Sequence, residues 1–334
     1  MIELTSIKTE SSVISCGFAE SRIGGRGENQ DSFGWIDSPF GLLVVVCDGM
    51  GGGPGGKIAS SIAVKEILDG VMQADQQEEI ANILIKAIRR ANMAIINKGN
   101  EQADLCGMGS TCTVVLINQQ SAIIAHVGDS RVYQFRCGQK IFRTFDHSMV
   151  FDLVKQKVIT EEQARLSAQS NVITRALGIK PDLEVEIVER PYELGDRFML
   201  CTDGIHGMVE EKTLIKWATN KKTSLGSVVD EISTEIDNIG RNSGGGHDNL
   251  TLAIIETKRD SIKKETMSRN IKYVLLGICL ICVLSFVLNI ILFSRPTFVG
   301  TMNECIDQKN DTVIGDYSID INGDSIIIKT IKNK

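Results

Sequence analysis

The chain has 334 residues, 43 % of them apolar, enough for one large domain or two ordinary ones around a sizeable core. A net charge of -6 lacks the basic footprint of a nucleic-acid-binding domain, so no nucleic-acid partner is expected. The nine cysteines are scattered and form no pair of CxxC motifs, which excludes a disulfide-stapled scaffold or a ribbon-type zinc site.

Residues 1–15 lack a basic stretch followed by an apolar core, so they do not read as a signal peptide. Strand composition then recurs at 1–18, 33–47, 111–118, 121–127 and 131–136. Helical spacing of apolar residues covers 56–73 (Ile58, Ile62, Ala63, Ile67, Leu68) and 78–98 (Ile80, Ile83, Leu84, Ala87, Ile88). The polar stretch 147–170 reads as helical. Further strands are expected at 183–188, 197–202 and 249–256, with helices near 210–219 and 224–239. Consecutive strands broken by a few helical inserts predict antiparallel sheets flanked by helices, an α+β architecture rather than an alternating βαβ one.

Residues 273–293 carry no charge and are long enough to cross a bilayer as a helix. Lys258, Arg259, Lys263, Lys264, Arg269 and Lys272 precede that run, and Arg295 follows it. The positive-inside rule therefore expects residues 1–272 in the cytoplasm and 294–334 outside, giving a single-pass protein of the cell membrane. The expected organisation is a folded domain over 1–257, a basic juxtamembrane linker over 258–272, the span, and a short extracytoplasmic tail. In the tail, Asn322-Gly323 lies between alternating apolar residues and predicts a small hairpin. Self-association through the span or the tail is an open alternative, and Cys305 is either a free thiol or half of an intermolecular disulfide.

The chemistry is concentrated at strand ends. Asp48 ends the apolar run 42–47, Asp129 follows 122–128, Asp203 follows 198–202, and Asp248 precedes 250–255. A carboxylate at the mouth of a buried strand is rigid and partly desolvated. Several such groups converging would repel one another unless a cation sat among them. Oxygen-only ligands favour a hard ion such as Mg²⁺ or Mn²⁺. Gly51 to Lys57 also spells the GxxxxGK of a phosphate-binding loop, but Ile58 replaces the hydroxyl residue that would hold Mg²⁺, and that reading leaves the other aspartates unexplained.

Eight motifs occur in order: Arg26-Gly-Glu-Asn-Gln-Asp31, Asp48-Gly-Met-Gly-Gly52, Gly109-Ser-Thr-Cys-Thr113, Val127-Gly-Asp-Ser-Arg131, Asp146-His-Ser148, Ile173-Thr-Arg-Ala-Leu-Gly178, Leu200-Cys-Thr-Asp-Gly204 and His247-Asp-Asn-Leu-Thr251. Together they resemble the PPM-type (type 2C) metal-dependent Ser/Thr protein phosphatases, in their bacterial form, over roughly residues 10–257. The resemblance implies a four-layer α-β-β-α sandwich of two antiparallel sheets. It implies that Asp48 bridges two Mg²⁺ or Mn²⁺ ions, that Asp203 and Asp248 complete the first ion, and that the Gly49 carbonyl binds the second with Asp31 acting through water. Asp129, with Asp203, resembles a third metal position. Arg26 would hold the substrate phosphate, and residues 147–170 correspond to a variable flap. A water activated by the two ions would then hydrolyse phosphoserine or phosphothreonine on proteins, opposing a cognate Ser/Thr kinase.

Three departures accompany the resemblance. Met50 stands where some members carry a proton-donating His, Gln30 where an acid is common, and Gly53 and Lys57 differ from the usual loop residues. The alternative reading is a catalytically inactive, phosphatase-like membrane adaptor. His126, His147, His206 and His247 are expected to be packed or hydrogen-bonded rather than catalytic, with His147 anchoring the flap. Trp35 and Trp217 are expected in packing roles.

Overall fold

The continuous apolar runs of this chain become strands buried on both faces. The computed structural model describes residues 5–8, 15–51, 55–257, 317–321 and 326–330. A six-stranded sheet runs in the order β1 (Thr5–Lys8), β2 (Ser15–Arg22), β13 (Leu250–Thr257), β12 (Arg197–Cys201), β9 (Arg131–Arg136) and β10 (Gln139–Arg143). A five-stranded sheet runs β11 (Glu186–Arg190), β8 (Ala122–Val127), β7 (Cys112–Ile117), β4 (Gly41–Cys47) and β3 (Ser32–Ser38). Every strand pair in both sheets is antiparallel, as expected.

Alternation along β4 shows how the layers assemble. Leu42, Val44 and Val46 face the other sheet and pack with Val132, Phe198, Leu200, Ala253 and Ile255. Leu43, Val45 and Cys47 face outward, onto Ala63, Ile67, Leu84 and Ile88 of α1 (Gly55–Met72) and α2 (Ile80–Glu101). On the far side, Tyr133, Met199, Leu252 and Ile254 pack against Leu214, Val229, Ile232 and Ile236 of α6 (Glu211–Ala218) and α7 (Leu225–Asn242). The period of two thus sends adjacent residues of one strand into different apolar layers, and the result is the α-β-β-α sandwich. Trp35 joins the layer between the sheets, and Trp217 packs on the outer helical side.

Some boundaries differ from the sequence reading. The 33–47 run is a hairpin, β3 to β4, turning at residues 39–40. The polar stretch 147–170 forms two short helices, α3 (Met149–Lys155) and α4 (Glu161–Arg165), rather than one. Lys157 has a positive φ of 59°, which breaks the first helix, and Thr160 restarts the second with a capping box to Gln163. Strand β10 was not expected. Its signal is the Cys137-Gly138 turn, both residues at positive φ (48° and 80°), the geometry that joins tight hairpins. Cys47, Cys112 and Cys201 are buried in strands, and the six cysteines of the domain are free thiols.

In the tail, β14 (Tyr317–Ile321) pairs antiparallel with β15 (Ile326–Thr330), and Ile321 stands opposite Ile326. That is the hairpin expected around Asn322-Gly323. Among the described residues, no helix is long and apolar enough to cross a membrane. The predicted span 273–293, the basic linker 258–272 and Cys305 lie outside the described residues.

Candidate metal centre

Asp48 leaves β4 and enters a two-residue strand, β5 (Gly49–Met50), which pairs with β6 (Gly109–Ser110). Its backbone is gripped by the Gly109-Ser-Thr motif. Asp48 N–H donates to Thr111 Oγ1 at 2.9 Å, while Thr111 N–H and Ser110 Oγ donate to the Asp48 carbonyl at 2.8 and 3.0 Å. Thr111 Oγ1 also lies 2.7 Å from Ser130 Oγ, so one threonine ties the Asp48 turn to the Asp129 turn. Asp203 opens the short helix α5 (Asp203–His206) directly after β12. Asp248 sits in the loop before β13, its Oδ1 accepting from Asn249 N–H at 2.8 Å.

These groups meet in one place. A cavity of about 520 Å³ is lined by Arg26, Asp48, Gly49, Met50, Asp129, Asp203 and Asp248. A second cavity of about 250 Å³ shares Arg26, Asp129, Asp203 and Asp248 and extends beneath Phe151, Ala164 and Arg165 of α3 and α4. Asp31 lies behind the wall rather than in the lining, 2 % exposed, with Oδ2 accepting from Thr202 Oγ1 at 3.0 Å. The structure thus brings together every site residue expected from sequence and places Asp31 one layer deeper.

The electrostatics are those of a cation site. Burial, then repulsion from Asp203 and Asp248, pushes Asp31 up to about 7. Burial, then Asp248, pushes Asp203 up to about 6. Burial and the neighbouring carboxylates also raise Asp48 and Asp129 well above the ordinary range. The Asp48 and Asp203 carboxyls face the same cavity and repel each other's charge, an arrangement that favours a cation or a proton between them at neutral pH. Asp203 Oδ1 is buried without a hydrogen-bond partner, an acceptor left for something else. An all-oxygen set with an orphaned acceptor fits Mg²⁺ or Mn²⁺.

Comparison with known proteins agrees with that chemistry. Residues 20–231 match the family model described as protein phosphatase 2C. The serine/threonine phosphatase Stp of Listeria monocytogenes is 33 % identical over 243 residues, covering 72 % of this chain and 93 % of that protein. The chain belongs to the protein phosphatase 2C family. Among solved structures, the serine/threonine phosphatase Stp1 of Staphylococcus aureus superposes with a TM-score of 0.67 at 26 % identity, over 77 % of this chain and 99 % of that one. The catalytic domain of the serine/threonine phosphatase PstP, solved in complex with 2 manganese ions, matches with a TM-score of 0.61 at 29 % identity, over 73 % of this chain and 98 % of that one. This chain is accordingly a metal-dependent Ser/Thr protein phosphatase.

Within the phosphatase domain, Arg26 is half-exposed at the cavity mouth and pairs with Asp248, Nη2 to Oδ2 at 2.8 Å. Lys57, the end of the apparent phosphate-binding loop, instead donates to the Asp31 carbonyl at 2.7 Å and to Ser32 Oγ at 3.2 Å, so its ammonium braces the Asp31 segment. Asn249 was not singled out from sequence. Its Nδ2 donates to the carbonyls of Ile23 and Glu28 at 2.8 and 3.0 Å, and its Oδ1 accepts from Gln30 N–H at 2.8 Å. That side chain stitches the Arg26 loop to the Asp248 loop, and its only sequence signal was membership of the His247-Asp-Asn motif.

The histidines of the phosphatase take the packed roles expected. His206 Nε2 donates to the Asp129 carbonyl at 3.0 Å, and burial followed by the charge of Arg131 lowers it to about 3. His247 Nε2 pairs with Asp237 at 2.8 Å. His126 and His147 stack with ring centroids 4.6 Å apart. Burial lowers both, and His147 reaches about 4.

Proposed function

We propose that this chain is a membrane-anchored phosphoprotein phosphatase acting in the cytoplasm against Ser/Thr kinase signalling. The observation that carries the catalytic part is the convergence of Asp48, Asp129, Asp203 and Asp248 with Arg26 on one cavity. In this reading Asp48, Asp203, Asp248 and the Gly49 carbonyl hold two Mg²⁺ or Mn²⁺ ions, Asp31 supports them through water, and Asp129 with Asp203 offers a third position. When bound, such ions activate water near neutral pH and offset charge on the transferring phosphoryl group.

The chain's own residues do the rest. Arg26 is free enough to turn from Asp248 to a phosphate, for which its planar fork of donors is suited. Thr111 and Asn249 hold the two acid-bearing loops in register, so the ligands need no reorganisation on binding. Met50 at the cavity wall cannot donate a proton to the leaving alkoxide, so that proton comes from solvent or another group. The adaptor alternative is disfavoured because Asp48, Asp203 and Asp248 are all present and face the same cavity.

The membrane part rests on the uncharged run 273–293 and its basic flank. Hydrolysis of p-nitrophenyl phosphate by residues 1–257, dependent on Mn²⁺ and abolished by EDTA, tests the catalytic reading. No such activity would favour the adaptor. Retention of the full chain in alkaline-washed membranes tests the anchor, and its appearance in the soluble fraction would refute it.

A further inference from the structure

Asp129 stands in a turn held from both sides by histidines. On one side His206 donates to the Asp129 carbonyl. On the other, Gly128 and His147 make a closed pair of bonds. Gly128 N–H donates to His147 Nδ1 at 3.1 Å, and His147 N–H donates to the Gly128 carbonyl at 2.9 Å. Gly128 has φ +106°, and a Cβ there would lie 2.7 Å from Thr111 Cγ2, so the turn has no slack of its own.

His147 is also the root of the segment 149–172. Its carbonyl accepts from Thr174 N–H at 2.7 Å, Ser148 bridges to Ile173, and Met149 N–H donates to the Val172 carbonyl at 3.0 Å. Both ends of the segment therefore close at this one residue. Beside it, Asp146 takes a two-pronged bond from Arg131, at 2.7 Å on each oxygen. The Asp129 turn and the flap root are thus a single stitched unit.

The tautomer of His147 is decided by its partners. Nδ1 accepts from a backbone N–H and so carries no proton. The proton is on Nε2, which faces Glu186 Oε2 at 3.2 Å. Glu186 reaches it from β11, the edge strand, opposite His126. The donor atoms of His126, His147 and Glu186 lie within 4.8 Å of one another, which invites a metal-site reading. A metal on His147 Nε2 would need a lone pair there while Nδ1 is already accepting, a doubly deprotonated ring. His126 Nε2 is likewise committed to the Phe145 carbonyl at 2.9 Å. The cluster is a positioning device, not a metal site.

We propose that His147 is a positioning residue that locks the Asp129 turn to the root of the 149–172 segment, with Glu186 selecting the tautomer that makes the lock possible. This rests on the reading of Asp129 as a cation ligand. Loosening the lock would free the carboxylate and the segment together, weakening the cation held through Asp129 and the closure of the segment over substrate.

The test uses the full-length protein and two amide substitutions that split the ring's functions. In His147→Asn, Oδ1 takes the place of Nδ1 and still accepts from Gly128. In His147→Gln, the amide reaches the Nε2 position and leaves Gly128 N–H stranded. The readouts are Mn²⁺ binding by electron paramagnetic resonance, tryptic cleavage at the exposed Lys155 and Lys157 without metal, and the KM for a phosphopeptide. We expect His147→Gln to weaken the last Mn²⁺ equivalent, speed cleavage and raise KM, each by about tenfold, the size of effect expected from stranding one buried donor. His147→Asn should restore all three to within about threefold of the parent, a residual set by its lost bond to Glu186.

Equal behaviour of the two variants would overturn the proposal. Asp129→Asn separates it from the reading beneath it. If Asp129→Asn loses the last Mn²⁺ equivalent but His147→Gln does not, the positioning role is wrong. If Asp129→Asn leaves Mn²⁺ binding unchanged, the ligand reading fails, and the cleavage rates alone decide whether His147 holds the segment. Should His147→Gln fail to fold, Glu186→Ala replaces it. Cleavage should then quicken for Glu186→Ala but not for Glu186→Gln, whose amide oxygen still accepts; no difference would overturn the tautomer role.

Discussion

Neutralising Asp146 should destabilise the phosphatase domain far more than a typical polar substitution. The Asp146 carboxylate takes both 2.7 Å bonds from Arg131, whose side chain is only 9 % exposed and whose guanidinium reaches Tyr133 Oη at 3.1 Å and lies over the Phe151 ring at 5.0 Å. In Asp146→Asn the guanidinium keeps its buried position but loses its counter-charge. Breaking one side of such a pair costs about 3–5 kcal/mol, and in a domain of this size that lowers Tm by roughly 10 °C. Replacing both members, as in Arg131→Met with Asp146→Leu, should recover much of the loss because no charge is left stranded.

Urea unfolding of residues 1–257, followed by tryptophan fluorescence, measures all three proteins. The pair also has a pH signature. Burial raises Asp146, but Arg131 more than offsets this and holds it below its ordinary value. Its contribution is therefore full above the unfolded value, about pH 4, and is lost as pH falls through the depressed folded value. A cost below about 1 kcal/mol for Asp146→Asn, or a double variant no more stable than the single, would refute the stranded-charge reasoning.

Four further outcomes are expected. Asp203→Ala should lose nearly all turnover while remaining folded, whereas Arg26→Ala should mainly raise the phosphopeptide KM, by about tenfold, since it removes donors from the phosphate rather than a cation ligand; unchanged kinetics for Arg26→Ala would remove the phosphate assignment. Mn²⁺ at one hundred times its Kd should stabilise the parent by about 2.7 kcal/mol, and calorimetry should show that rise shrinking sharply in Asp203→Ala. Gly204→Ala should unfold or fail to express, because the added Cβ would sit 2.0 Å from the Asn249 carbonyl oxygen, a backbone atom that cannot move aside; a soluble protein with unchanged Tm would contradict the packing. His147, lowered to about 4, stays largely neutral in the fold at pH 5 while the unfolded chain takes up a second ring proton, so its contribution is full above about pH 6.5 and falls by up to about 1.4 kcal/mol per pH unit below that; His147→Asn should flatten that slope in a series of urea titrations.

The sequence by itself determined the layers and the identity of the acids. A strand such as 42–47, apolar at every position, can be satisfied only by burial on both faces, which requires a sheet between two other layers. Aspartates that end such strands are then forced to the sheet mouths, so Asp48, Asp203 and Asp248 were legible as one chemical set before any coordinates. The helix start at Ser224 was readable for a local reason, a side-chain oxygen beside a free N–H, whereas the break at Lys157 and the restart at Thr160 were not separated from the helical stretch 147–170.

Only the tertiary structure decided what those acids touch. Arg26 and Asp248 are 222 positions apart, Asp31 and Thr202 are 171, and their contacts depend on how two sheets stack, not on any local pattern. The same holds for Asp31 lying behind the cavity wall and for His147, whose tautomer is set by a backbone N–H from one turn and a carboxylate from another strand. Local preference is an energy of neighbours along the chain. The charge of a buried acid and the proton on a buried imidazole are energies of neighbours in space, and the fold is what supplies them.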